Sequence, residues 1–240
     1  MASQIDLLPS DDPIKVWSVI VTLFGDLASG DGDEISGQVL MMLMERLGIR
    51  PDATRVALHR LRKDSWIVSR KVGRNAHYRL STHGLRETQA ASPRIYAENL
   101  PAITDVKLVL AAPDVETPEG IELAPRVRLT RSPMPTDWVL SAGVSTMPDW
   151  AMESLLPSSL AKSFRMLHET LLAENHAVPK DPIAQAIARA RIVHAWRRLI
   201  LKLDEERERL LPPGNAVFAC RKAVLERLNG VTRPKISDLA

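Results

Sequence analysis

Between Arg50 and Arg86 the sequence sets ten arginines and lysines (Arg50, Arg55, Arg60, Arg62, Lys63, Arg70, Lys71, Arg74, Arg79 and Arg86) against two aspartates, Asp52 and Asp64. Cations at this density neutralise phosphates and release their counterions, which supplies affinity without sequence information. Selectivity needs groups that meet base edges. Arginine can pair with guanine through two hydrogen bonds, and threonine can meet a thymine methyl or a base acceptor. Thr54, Arg55, His59 and Arg62, with Lys63 beside them, are the side chains of those types on one short segment. Arg70, Lys71, Arg74, Asn75 and His77 follow closely and suit contacts to backbone or minor groove.

These side chains need a scaffold. Asp12-Pro13 followed by Val16, Val19-Ile20, Leu23-Phe24 and Leu27 predicts a helix over 13–28, with Asp as cap and Pro in the first turn. A second helix is expected over 36–47, with Gly48 in a left-handed terminal position. A connection of about three residues, typical of a helix-turn-helix, leads into a third helix from Pro51-Asp52. Its inner face is read as Ala53, Val56-Ala57 and Leu61, leaving Thr54, Arg55, His59 and Arg62 outward. Residues 66–70 and 76–80 alternate as two strands around the turn Val72-Gly73-Arg74-Asn75. Three helices and a hairpin are the order of a winged helix, whose second motif helix enters the major groove.

The basic window carries a net charge of +8 in a chain whose total is +3, so the remaining residues sum to −5. The fold class expected is α+β, mostly helical. A disordered tail (1–11) precedes the winged-helix domain (12–95), which a helix near 83–92 leaves. A small sheet-containing module (96–150) has strands near 106–110, 121–123, 127–129 and 138–140 between proline-rich turns. A helical C-terminal domain (151–240) carries Leu160, Phe164, Leu167 and Leu171, then a long helix from Asp181-Pro182 and a last one over 216–228.

Other chemistries find little footing. The 240 residues hold one cysteine, Cys220, so no internal disulfide or zinc finger can form, and a reducing cytoplasmic location is expected. No apolar run approaches the ~20 residues of a membrane span, and no signal peptide is read at the start. The six histidines lack metal-binding spacing, so no metal or cofactor is expected. Ser159-Leu-Ala-Lys162 matches S-x-x-K without its companion elements. No catalytic residue is assigned, and His194 reads as a satisfied, partly buried side chain.

Four blocks carry a family resemblance: IVTLFGDLA at 20–28, RVALHRLRKDSWIVSRKVGRNAHYRLS at 55–81, RIYAENLP at 94–101 and RIVHAWRRLILKLDEERERLLPPGNA at 191–216. Together they resemble the PaaX-like family of bacterial transcriptional regulators of phenylacetic acid degradation. That resemblance implies a homodimeric repressor with an N-terminal winged helix and a ferredoxin-like central module. It also implies a double-stranded DNA operator and an acyl-CoA-type effector. It assigns DNA reading to Thr54, Arg55, His59 and Arg62, and puts Gly73-Arg74 at the wing turn. Arg191, His194, Trp196, Arg197 and Arg198 fall in its element for effector or dimer contacts. The central module is reduced here, because 113–120 is too short for a helix of useful length. An alternative reading is a winged-helix module whose basic face binds an acidic protein.

Overall fold

The computed structural model describes residues 14–100, 106–110, 119–130, 139–140, 149–173, 178–212 and 214–239. Its architecture is α+β and mostly helical, with two small antiparallel sheets. The expected tail (1–11) and the cap at Asp12-Pro13 lie outside these residues. Helix α1 (Val16–Leu27) begins three residues later than the periodicity suggests, and Lys15, at its N-cap, makes no side-chain cap bond. It is buried nearly all round, as a helix must be when neighbours cover every face. Val19, Ile20, Leu23 and Phe24 belong to the first hydrophobic core. The opposite stripe of α1, Ser18, Thr22 and Asp26, is polar and also buried.

Strand β1 (Ile35–Ser36) leads into α2 (Gly37–Arg46), where the Ser36 hydroxyl accepts from Val39 N at 3.2 Å. Gly48, at φ 78°, ends α2 as expected. Its N–H donates to the Glu45 carbonyl and that of Ile49 to Met44, the paired bonds of a Schellman motif. Helix α3 (Pro51–Lys63) packs on α1 and α2. Strands β2 (Ile67–Val72) and β3 (Asn75–Leu80) form a hairpin around Gly73-Arg74, and β1 completes the sheet in the order β1-β3-β2. Strand β1 is too short to leave a sequence pattern; it pairs Ile35 with Tyr78 and Ser36 with His77.

Helix α4 (Thr82–Tyr96), capped by Ser81, runs four residues beyond its expected end and carries Pro93 within it. The second sheet holds β4 (Lys107–Leu110), β5 (Ile121–Ala124), β6 (Val127–Thr130) and β7 (Val139–Leu140) in the order β5-β6-β4-β7. Of the segment 113–120, too short for a useful helix by sequence, residues 113–118 lie outside the described residues and 119–120 form a bend before β5. Helices α5 (Asp149–Leu155), α6 (Ser158–Ala173), α7 (Pro182–Ile200), α8 (Glu205–Leu210) and α9 (Ala216–Gly230) follow, then a terminal 3₁₀ turn (Ile236–Leu239). Phe164, Leu167, Trp196 and Val224 belong to a second core, and Ile121, Leu129 and Leu155 to a third. Ala186 and Ala190 of α7 lie instead in the first core, so α7 ties the C-terminal helices to α1. Among the described residues no helix is long and apolar enough to cross a membrane.

Candidate nucleic-acid interface

Helix α3 is rotated relative to the sequence reading. Thr54, Ala57, Leu58 and Leu61 form its buried stripe, whereas Val56 is 71% exposed. Taking Leu58 and Leu61 inward buries more apolar surface than Val56 could, and the small Thr54 and Ala57 let the helix approach its neighbours closely. Thr54 is therefore not outward. Its hydroxyl donates to the Arg50 carbonyl at 3.2 Å, a local bond that satisfies a buried polar group. Arg55, His59 and Arg62 are exposed on the other side, as expected, and so is Lys63. Arg55 Nη1 is held by Asp52 Oδ1 at 2.7 Å, and Arg60 Nε lies 3.4 Å from Asp64 Oδ2.

The hairpin's buried pair is Ile67 and Leu80 at its base, and half-buried Tyr78 also packs against the first core where β1 pairs with β3. Beyond Ile67 both faces of β2 are exposed, so the alternation of the sequence does not translate into one wet and one dry face. Lys71, Arg74 and Asn75 are exposed and His77 is half-buried. Arg70 is not a bare cation. Its Nε donates to both carboxylate oxygens of Glu34, at 2.7 and 2.9 Å. The hydrogen bond from Arg70, with the charges of Arg70, His77 and Arg79, holds Glu34 below the usual carboxylate range. Glu34 escaped the sequence reading because its partner lies 36 positions away.

The five residues of α7 do not converge on one site. Trp196 is fully buried, its indole N–H donating to the Ile95 carbonyl at 3.1 Å. His194 is also buried, against Thr22 of α1. Arg197 Nη1 reaches the Ser18 hydroxyl at 3.1 Å, while Arg191 and Arg198 are half-buried. Helices α1 and α7 thus meet along a polar seam, with Ser18 and Thr22 facing Arg197 and His194. At its far end Asp26 meets Arg189, in two bonds of 2.8 Å each. The Tyr96 hydroxyl donates to Asp26 Oδ1 at 2.9 Å, and Arg189 Nη1 donates to the carbonyls of Leu228 and Val231. Ser159 and Lys162 of the S-x-x-K pattern are exposed on α6.

Residues 15–84 match the family model described as PaaX-like protein. The transcriptional repressor PaaX of Escherichia coli (strain K12) is 31% identical over 189 residues, covering 77% of this chain and 55% of that protein. The chain belongs to the PaaX-like family. It spans about half the length of this curated relative. The PaaX-like match runs from α1 to the start of α4, so it takes in the whole basic helix and hairpin. It includes Asp26 but not that residue's partners Tyr96 and Arg189.

The seam gives this PaaX-like chain a pH-sensitive joint. The Thr22 hydroxyl donates to the Ser18 carbonyl at 2.9 Å, so at 3.2 Å it can only accept from His194 Nδ1. The ring is then the neutral Nδ1–H tautomer, and Nε2 has no partner among the described residues. Burial, with the charges of Arg198 and Arg197, pushes the imidazole down to about 3. Unfolded chain therefore binds a proton between pH 6.5 and about 3 that the folded chain refuses. Stability from this group is complete above pH 6.5 and is lost as pH falls, by about 2 kcal/mol at pH 5. Urea midpoints of the parent should fall by correspondingly more between pH 7 and pH 5 than those of His194→Gln. Equal falls would show that His194 does not control the acid response.

Proposed function

We propose that the chain is a DNA-binding transcriptional repressor, ligand-responsive, that controls catabolic genes for aromatic acids or their acyl-CoA forms. One observation carries this reading. With Thr54, Ala57, Leu58 and Leu61 locked inward, the outer face of α3 and the emergent hairpin present Arg55, His59, Arg62, Lys63, Lys71, Arg74 and Asn75 to solvent. In the proposed winged-helix domain (12–95), α3 lies in the major groove and the hairpin forms the wing. Arg55, His59 and Arg62 reach base edges or phosphates, Thr54 braces the helix from inside, and Lys63, Arg70, Lys71, Arg74, Asn75 and His77 hold the backbone. The relative's designation as a transcriptional repressor supports the same class.

The finer architecture is part of the proposal. Strand order β5-β6-β4-β7, antiparallel throughout, is that of a ferredoxin-like sheet and supports such a module within 96–150. The helical unit is 151–240. A homodimer places two α3 helices about 34 Å apart on a palindromic or spaced-repeat operator. An acyl-CoA-type effector binding between the central and C-terminal parts shifts that spacing through its unequal affinity for the two states. Arg191, Arg197 and Arg198 are the proposed contacts, with His194 and Trp196 seating α7 behind them.

Gel shifts with rising salt test the reading. Affinity should fall steeply, with a slope near −0.9 per neutralised phosphate. Arg55→Ala should weaken binding by about 1–3 kcal/mol and relax selectivity at one position. Arg74→Ala should weaken all duplexes alike and lower the salt slope by about one. Binding indifferent to salt, or an Arg55→Ala protein as tight as the parent, would sink the proposal. Capture of an acidic protein with no DNA retained would move the basic face to a protein-interaction role.

A further inference from the structure

Val56 has no structural reason to be where it is. It is 71% exposed at the centre of the outer face of α3, among Arg55, His59, Arg60 and Lys63. A β-branched side chain loses rotamer freedom in a helix and gains nothing from facing water. The cations beside it are drawn aside. Arg55 is held by Asp52 toward the helix start and Arg60 by Asp64 toward its end. The two γ-methyls of Val56 are thereby left clear between them.

We propose that Val56 reads a thymine, by packing its methyls against the C5-methyl group at the floor of the major groove. This rests on the DNA-binding reading and deepens it. The thymine methyl is the apolar group that base pairs display on that side, and small apolar side chains are its usual partners. A ring of cations around one apolar knob complements a groove lined with phosphates and floored by bases. It suits a protein partner less well, because an interface core clusters several aromatic or large apolar anchors, whereas the other exposed apolar side chains of the hairpin, Val68 and Val72, are valines open to only 40% each. The stiffness of valine then becomes useful, since its methyls are fixed before contact.

The test uses duplexes enriched by the full chain from a randomised library, resynthesised with each thymine in turn replaced by deoxyuracil. One position in each half-site should lose about fourfold in affinity, the worth of one buried methyl. In Val56→Ala, a substitution that favours the helix and withdraws both γ-methyls, the preference for thymine over uracil at that position should shrink, with the salt slope unchanged. Val56→Thr, which keeps one methyl, should retain part of the preference. Salt-dependent binding without a methyl-sensitive thymine, or with one equally sensitive in Val56→Ala, overturns the role of Val56 alone. Failure to enrich any duplex overturns the DNA-binding reading and this inference with it.

Discussion

Asp26→Ala is expected to destabilise the chain by about 3–5 kcal/mol, because it strands a buried guanidinium. Arg189 is 7% exposed, cannot shed its proton, and spends Nε and Nη2 on the two oxygens of Asp26. Its remaining bonds, to the Leu228 and Val231 carbonyls, are too few to replace a lost counter-charge. The Tyr96 hydroxyl loses its acceptor in the same step. Helices α1, α4, α7 and the end of α9 all meet at this carboxylate, so the damage should be global. Urea unfolding followed by circular dichroism gives the measurement. Asp26→Asn should cost less, since an amide oxygen still accepts. The double variant Asp26→Ala with Arg189→Met should be less unstable than the two single losses added together, the signature of a coupled pair. A midpoint for Asp26→Ala equal to the parent's would show that the pair contributes nothing net.

The outer layer of the candidate interface was legible because charge density and local periodicity are short-range signals. Arg55, His59 and Arg62 could be placed outward from a window of a dozen residues. The rotation of α3 was not legible, because Thr54 and Val56 trade places only once Leu58 competes for the core. Local hydrophobicity ranks Val above Thr; packing against α1 and a private bond to Arg50 reverse the order. The polar seam was missed for a different reason. Ser18, Thr22 and Asp26 recur every fourth residue, yet a polar stripe on an apolar helix reads as its wet face. Arg189 held the better clue. It shares the stripe of Ala186, Val193 and Trp196, and an arginine at a core position demands a buried acid somewhere in the chain. Two of the four family-like blocks, 20–28 and 94–101, contain Asp26 and Tyr96, and the blocks' third partner, Arg189, falls two residues before 191–216.

Glu208→Ala should be as costly as Asp26→Ala, about 3–5 kcal/mol, but its effect should be local in a way that exchange measurements can see. The run EERER in α8 has the look of a solvated helix, and Asp204 caps it in the ordinary manner, accepting from Glu206 N and Arg207 N. One glutamate of that run is nonetheless turned inward. Glu208 Oε2 accepts from Arg94 Nε and Nη2 at 3.1 and 2.8 Å, and Oε1 accepts from Arg221 Nη2. A single carboxylate therefore sits between a buried cation, Arg221, and a half-buried one, Arg94. Arg94 also donates to the carbonyls of Ile200 and Leu203, and Arg221 to those of Arg94 and Ala97. The Arg221 guanidinium lies 5.1 Å from the centre of the Trp196 ring. Without Glu208 the two guanidiniums repel with no anion between them, and the bond that Arg207 of α8 donates to the Ser154 carbonyl ties α8 to α5 and not to α4 or α9. Leu210 and Leu211 at its end pack against the third core, so releasing α8 also loosens the second sheet and α5 from the helices. Hydrogen exchange in Glu208→Ala should accelerate over 201–211 and 94–97 and in β4 to β6, while the base of the hairpin at Ile67 and Leu80 keeps its protection. Trp196 fluorescence should change as Arg221 leaves the ring. Glu208→Gln, which still accepts but carries no charge, should fall between the two. Acceleration spread evenly through α1 to α3 as well would mean that Glu208 supports the whole fold and not the attachment of the sheet. No change at 94–97 would mean that Arg94 and Arg221 find sufficient acceptors in the four carbonyls alone.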